Sequence, residues 1–289
     1  MKIGAHVSIA GGVEFAPGRA TDIGAECFQF FSRSPRGGVY KKITNEKADN
    51  FLKECEKGSF IPGEDYIIHT PYFINLASEN SRIYYGSIKV ISEELETADK
   101  LRAPYVITHI GSGKDISVEN AEQKIKDRVW RALEAVHKNN NYTALLLLEI
   151  AAGSGRIIGD TIEEIAYFIE KARGSSIPLG FCFDTCHAFA AGYDLRSEKK
   201  TKEVFRNIND KIGLDKLKVI HFNDSMAEFN SHKDRHAHIG KGEIGKKGLK
   251  EVVDQAKKIK VNLYLETKHD KIKEDLTLVK KFRREIRGI

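Results

Sequence analysis

The chain has 289 residues, 41% of them hydrophobic and 30% charged, with a formal net charge of +6. That length suits a single barrel domain, for which about 250 residues is typical, so residues 1–289 are read as one domain. No apolar run nears the roughly 18 residues of a membrane span and the opening Met1-Lys2-Ile3-Gly4-Ala5-His6 is too polar for a secretory signal, which excludes a membrane protein and points to a cytoplasmic, intracellular one.

In chain order, short apolar runs read as strands at Lys2–Val7, Cys27–Phe31, Tyr66–His69, Tyr105–His109, Leu145–Glu149, Leu179–Asp184, Lys218–Phe222 and Asn262–Glu266. Between them, helical patterns cover Asn45–Lys57, Arg82–Leu101, Val118–Lys138, Thr161–Ala172, Glu198–Ile212, Lys247–Lys257 and Lys271–Arg287. The first crossover, Gly11 to Asp22, is short, holds Pro17-Gly18 and carries the faintest helical pattern. Eight strands alternating with helices form an α/β chain, and eight is the number that closes a (β/α)8 TIM barrel. A doubly wound open sheet gives the same alternation. Only Gly11-Gly12 follows the first strand, however, and no Gly-x-Gly-x-x-Gly turn, so no nucleotide cofactor is expected.

The mildly basic balance suits a polyanionic partner, although surface lysines serve solubility equally. Cys27, Cys55, Cys182 and Cys186 show no zinc-knuckle pairing and read as reduced, structural thiols.

The stretch from Leu179 to Asp194 is the most informative. A buried strand ends on Asp184, and His187 follows three residues later, so the two share a face only if the backbone turns between them. The small residues up to Gly192 suit a loop there, and the pair suits a metal. The plainer alternative is that Asp184 caps a helix and His187 is a hydrogen-bonded core histidine. Other strand ends decide between them: His69, His109, Glu149, His221 and Glu266 each stand where a strand stops. In a barrel these positions meet on the C-terminal rim of the strands, where active sites sit. A carboxylate after Leu145-Leu146-Leu147-Leu148 is costly unless charge compensates it, and bound cations supply that charge.

Asp234 and His236, two apart, point one way in an extended loop and add a further pair. The candidate ligands are therefore His69, His109, Glu149, Asp184, His187, His221, Asp234, His236 and Glu266. Imidazole mixed with carboxylate favours zinc, with manganese or iron next, over calcium or magnesium. Cys186 is taken as a packing residue. His6 is read either as a residue behind the ligands or as a satisfied core histidine, His137 as solvated, and His232, His238 and His269 as spare loop histidines.

The chain strongly resembles the endonuclease IV family, the zinc-dependent apurinic/apyrimidinic DNA endonucleases. The resemblance covers nearly the whole chain. It rests on Gly4-Ala5-His6-Val7-Ser8 with Gly11-Gly12, Ile74-Asn75-Leu76, the run from Phe183 to Asp194, His221-Phe222-Asn223-Asp224, Asp234-Arg235-His236, and Ile239-Gly240-Lys241-Gly242-Glu243-Ile244-Gly245. It implies three zinc ions, held by His69, His109 and Glu149, by Glu149, Asp184, His221 and Glu266, and by His187, Asp234 and His236. It also implies hydrolysis of duplex DNA 5′ to abasic sites, leaving a 3′ hydroxyl and a 5′ deoxyribose phosphate, with Arg36 and Tyr72 entering the DNA at the lesion.

By sequence position Ser8, Arg36, Tyr72 and Arg235 are the candidate DNA contacts nearest the site, and Glu149 is the candidate catalytic residue, orienting the attacking water. A monomer is the default. Three departures stand out: Ile110 where proline is usual, Ala151 where threonine is common, and Pro35-Arg36-Gly37-Gly38, which lacks bulky residues after the arginine. Two rivals use the same residues: a sugar isomerase with one or two divalent ions, and a lesion-binding protein without catalysis.

Overall fold

The structure, a computed structural model, describes residues 1–38, 40–116, 121–138, 140–175 and 177–286. Eight parallel strands run in chain order: β1 Ile3–His6, β2 Phe28–Phe31, β3 Tyr66–His69, β4 Tyr105–Thr108, β5 Leu145–Glu149, β6 Leu179–Asp184, β7 Leu217–His221 and β8 Asn262–Leu265. Each pairs with the next, and β1 pairs with β8 through Ile3 opposite Leu263 and Ala5 opposite Leu265, which closes the barrel. The expected TIM barrel is present. One irregularity interrupts the ladder, a register shift between Phe181 and Cys182 where β6 meets β7.

The helices are α1 Ala16–Asp22, α2 Asn45–Lys57, α3 Ser81–Leu101, α4 Ala121–His137, α5 Ile162–Arg173, α6 Thr185–Ala190, α7 Glu198–Lys211, α8 Gly245–Ile259 and α9 Ile272–Glu285. Several of them start on capping chemistry, in which a side-chain oxygen takes an otherwise orphaned backbone N–H. Thr44 accepts from Lys47 N, Asn80 from Arg82 and Ile83 N, Thr161 from Glu164 N, and Ser197 from Lys200 N. The faint pattern of the first crossover is α1, entered by Pro17 in its first turn. Residues 118–120 at the expected start of α4 and residue 287 at the expected end of α9 lie outside the described residues.

Two apolar layers hold the barrel. The larger lies between strands and helices and includes Ile3, Phe28, Phe30, Phe181 and Phe183. The smaller is inside, where Cys27, Ile67, Ile107, Leu147, Cys182, Val219 and Tyr264 pack together, one from each of seven strands or the residue just before one. The remaining strand, β1, contributes Gly4, whose missing side chain leaves room for the carbonyl and Sγ of Cys27. All four cysteines are buried and unbridged. No helix among the described residues is long and apolar enough to cross a membrane.

Candidate metal centre

A strand's side chains repeat every two residues, so the next inward position lies two beyond that inner apolar layer. Reading two residues on from Gly4, Cys27, Ile67, Ile107, Leu147, Cys182, Val219 and Tyr264 gives His6, Gln29, His69, His109, Glu149, Asp184, His221 and Glu266. Every strand supplies one polar group to a single ring at the carboxyl end of the barrel. Six of these are candidate ligands named from the sequence, brought together from 198 residues of chain by one periodicity.

Glu149 is at the centre of the ring and 1% exposed. Its Oε2 lies 2.9 Å from His69 Nε2 and 3.3 Å from His109 Nε2, and its Oε1 lies 2.8 Å from His221 Nδ1 and 3.4 Å from His187 Nδ1. His221 Nδ1 also stands 3.5 Å from Glu266 Oε2 and 3.9 Å from Asp184 Oδ2. Outside the ring, the loop after β7 brings Asp234 and His236. Asp234 lies 3.3 Å from both His187 Nε2 and His236 Nε2. All nine residues therefore gather within one neighbourhood.

His187 reaches it by a route that corrects the expected loop. Residues Thr185–Ala190 are helical, and Asp184 is their N-cap, accepting the His187 backbone N–H at 2.8 Å. The two readings of Asp184 are thus compatible, because one oxygen caps α6 while the other faces the ring. Three rings are aimed by backbone. His69 Nδ1 donates to Thr70 O at 2.6 Å, His187 Nδ1 to Ile150 O at 3.1 Å, and His236 Nδ1 lies 3.4 Å from Glu266 O. Each leaves Nε2 facing the cavity.

The electrostatics favour cations. Burial opposes charge on Glu149, yet His109 and His221 more than offset it and hold its pKa well below the usual carboxylate range. Burial also opposes charge on Glu266, but His221 brings it down to about 2. For His187, burial is outweighed by Asp184 and Asp234, and for His221 by Cys182, Glu266 and Glu149, so both imidazoles are pulled well above their ordinary pKa. His6 and His109 move the other way because burial wins, His6 falling to about 3.

The donor set fits zinc. Imidazole nitrogens and carboxylate oxygens form five groups whose ligand atoms lie within 4.8 Å of one another, among them Glu149, Asp184, His221 and Glu266 together. His236 Nε2 is buried without a hydrogen-bond partner among the described residues, as an atom waiting for a ligand would be. Cys186 also falls in one group, with Asp234 and His236, although burial raises its pKa to about 12 and its thiol meets Arg235 O.

A cavity of about 340 Å³ opens on this centre, and a second, of about 420 Å³, adjoins it. Tyr72 lines both and is 66% exposed. Its backbone N–H donates to Pro35 O at 3.2 Å, and its ring meets that of Phe31 at 5.1 Å. Arg36 is exposed on the turn closed by Gly37 N to Ser34 O. Ser8 and Arg235 are exposed and line neither cavity. Both remaining departures are buried, and Ala151 lines the second cavity.

The structure revises several histidines. His137 is half-buried rather than solvated, its Nδ1 donating to Leu133 O and its pKa lowered by burial. His269 lines the cavity and donates from Nε2 to His6 O, and His238 is tied to Asp275 at 2.7 Å. Sequence reading passed over Gln29, whose only signal was a lone amide in Cys27-Phe28-Gln29-Phe30-Phe31. It is fully buried, with Nε2 2.7 Å from Glu266 Oε1 and Oε1 2.7 Å from His221 Nε2.

Comparison with known proteins identifies the fold and the family. The family described as xylose isomerase-like TIM barrel matches residues 17–287. A probable endonuclease 4 of Methanoculleus marisnigri is 35% identical over 281 residues, 97% of each chain. One of Natranaerobius thermophilus is 40% identical over 249 residues, covering 86% of this chain and 85% of that one. Among solved structures, a D-tagatose 3-epimerase-like protein covers 99% of this chain with TM-score 0.73 at 19% identity, a likeness of fold alone. Endonuclease IV of Thermus thermophilus covers 99% of this chain and 100% of its own with TM-score 0.83 at 31% identity, and with relatives at this level along nearly its entire length the chain belongs to the endonuclease IV family.

Proposed function

We propose that the protein is a DNA-repair endonuclease, a hydrolase that cuts duplex DNA 5′ to abasic sites and leaves a 3′ hydroxyl and a 5′ deoxyribose phosphate. The observation that carries this reading is the sharing of Glu149 among four imidazoles inside a ring that also holds Asp184 and Glu266. A sugar isomerase needs fewer ligands than this.

Three zinc ions would be held by His69, His109 and Glu149, by Glu149, Asp184, His221 and Glu266, and by His187, Asp234 and His236. Bound zinc supplies Lewis acidity, drawing in phosphate oxygens and acidifying water. The protein's own groups do the rest. Glu149, ionised and fixed on β5, is the acceptor best placed to orient the attacking water. Tyr72 lines both cavities and its N–H donates to the carbonyl of Pro35, the residue before exposed Arg36, so an aromatic ring and a guanidinium would be available to fill space vacated by a missing base. The surrounding lysines and arginines would supply phosphate contacts and make affinity fall with salt. Selection follows because an abasic nucleotide rotates out of the duplex more cheaply than a paired one, by a few kcal/mol.

The test is nicking of a duplex with one abasic site, before and after chelation and zinc return. Activity that survives complete zinc removal, or equal cutting of undamaged duplex, overturns the reading. Three zinc ions per chain separate it from an isomerase with one or two exchangeable ions.

A further inference from the structure

His69, His187 and His236 are aimed by backbone carbonyls, which no side-chain substitution removes. His109 has no such partner among the described residues, and His221 has a side chain in its place. No backbone carbonyl meets the His221 ring among the described residues; its Nε2 faces Gln29 Oε1 at 2.7 Å instead. We propose that Gln29 is the positioning residue that selects Nδ1 as the ligating nitrogen of His221 and links that ring to Glu266. The inference rests on the metal reading above.

The amide's orientation is forced by its neighbours. Gln29 Nε2 lies 2.7 Å from Glu266 Oε1 and 3.0 Å from His6 Nδ1. A carboxylate accepts hydrogen bonds and donates none when ionised, so only the NH2 of the amide can face Glu266. The carbonyl then faces His221 Nε2 and can only accept, so Nε2 carries a proton and donates. In the neutral ring this leaves Nδ1 bare, and Nδ1 is the atom facing Glu149, Glu266 and Asp184. A bare nitrogen beside three carboxylates is repelled unless a cation lies between them.

The amide is also fully used. One N–H goes to Glu266, the other to His6, and the oxygen takes His221, so a single side chain on β2 ties β1, β7 and the end of β8. Neither a shorter nor an apolar residue reproduces that. Hydrogen bonds of this kind behind metal-bound histidines set the tautomer, and their loss typically costs roughly 10–100-fold in metal affinity or activity.

Two measurements test the assignment. In zinc-loaded wild-type protein labelled with 15N-histidine, long-range proton–nitrogen correlation spectra should show His221 protonated at Nε2 and metal-bound at Nδ1. A proton on Nδ1 overturns the proposal without any variant. In Gln29→Met, similar in volume, chelator competition should show one zinc bound about 10–100-fold more weakly and the other two little changed. Equal affinity for all three overturns it. Wild-type protein that binds no zinc sinks the metal reading itself, whereas wild-type binding with an indifferent Gln29→Met sinks this inference alone.

Discussion

Asp184 and His187 are joined by a hydrogen bond of 2.8 Å in which the carboxylate that ends β6 accepts the backbone N–H of the histidine three residues on. Its other oxygen accepts from Asn223 Nδ2 at 2.8 Å, and Asn223 cannot turn over because its own Oδ1 accepts Glu266 N. The same side chain therefore starts a helix and faces the candidate metal centre. Substitution separates the two roles. Asp184→Asn keeps an oxygen for the cap but sets an NH2 against Asn223, whereas Asp184→Ala loses the cap as well. Both should lose the zinc bound with Glu149, His221 and Glu266. In chelated protein the alanine variant should be the less stable by about 1 kcal/mol, the usual worth of an N-cap. Full zinc content in either variant would show that Asp184 is structural only.

His109 tests the reading of the rim. Its side chain is 32% exposed and touches Glu149 at 3.3 Å, so removing it disturbs little packing. His109→Ala should fall from three zinc ions to two and lose most nicking, by about 100-fold or more, because a metal ligand acts in the transition state as well as in binding. Denaturant melts of the chelated forms should nearly coincide, as expected for a half-exposed side chain away from the core. Wild-type turnover with two ions would refute its assignment as a ligand.

The Arg36 loop is held more firmly than its two glycines suggest. Glu94 of α3 is fully buried and accepts from Ser32 Oγ and Arg33 Nε, while Arg33 also donates to Glu93 at 2.8 Å and lies 3.5 Å above the Tyr40 ring. Further along the same helix Thr97 meets Tyr40 and Lys100 donates to Ile43 O, so one face of α3 fastens both flanks of the turn. Glu94→Ala leaves Arg33 half of its countercharge in a buried setting, a change that costs about 3 kcal/mol or more. Residual folded protein should show a raised KM for abasic duplex with kcat changed less. A fall confined to kcat would place Glu94 outside DNA engagement.

The barrel was legible because each strand is a short apolar run and each crossover an amphipathic one. The ring was legible because seven of its eight members are chargeable residues at strand ends, where an apolar explanation is hardest. Gln29 escaped for the opposite reason, since an uncharged amide inside a strand attracts no notice until its partners are seen. The Thr185–Ala190 helix stood only as the alternative to a loop, because its apolar sequence, wholly buried, carries no amphipathic period to read. Asp234 and His236 could be seen as a pair two apart, but only the tertiary path of their loop sets them against His187.

Gly4 makes the last prediction, and it joins packing to chemistry. A Cβ built there would stand 1.6 Å from the carbonyl oxygen of Cys27 and 2.9 Å from its Sγ. The first of these is backbone in the adjoining strand, so no rotamer change relieves it, and β2 must move away from β1. Gly4→Ala in an ordinary strand would stabilise slightly by restricting the unfolded chain. Here overpacking should dominate and cost about 1–3 kcal/mol or more. The displaced strands carry His6 and Gln29, whose hydrogen bond at 3.0 Å spans the same pair of strands two residues further on. The variant should therefore lose zinc affinity at the His221 site beyond what its reduced stability alone would produce, measured by chelator competition at a temperature where it is fully folded. An unchanged urea midpoint would show that β1 and β2 can separate freely, and the layered account of the barrel interior would fail with it.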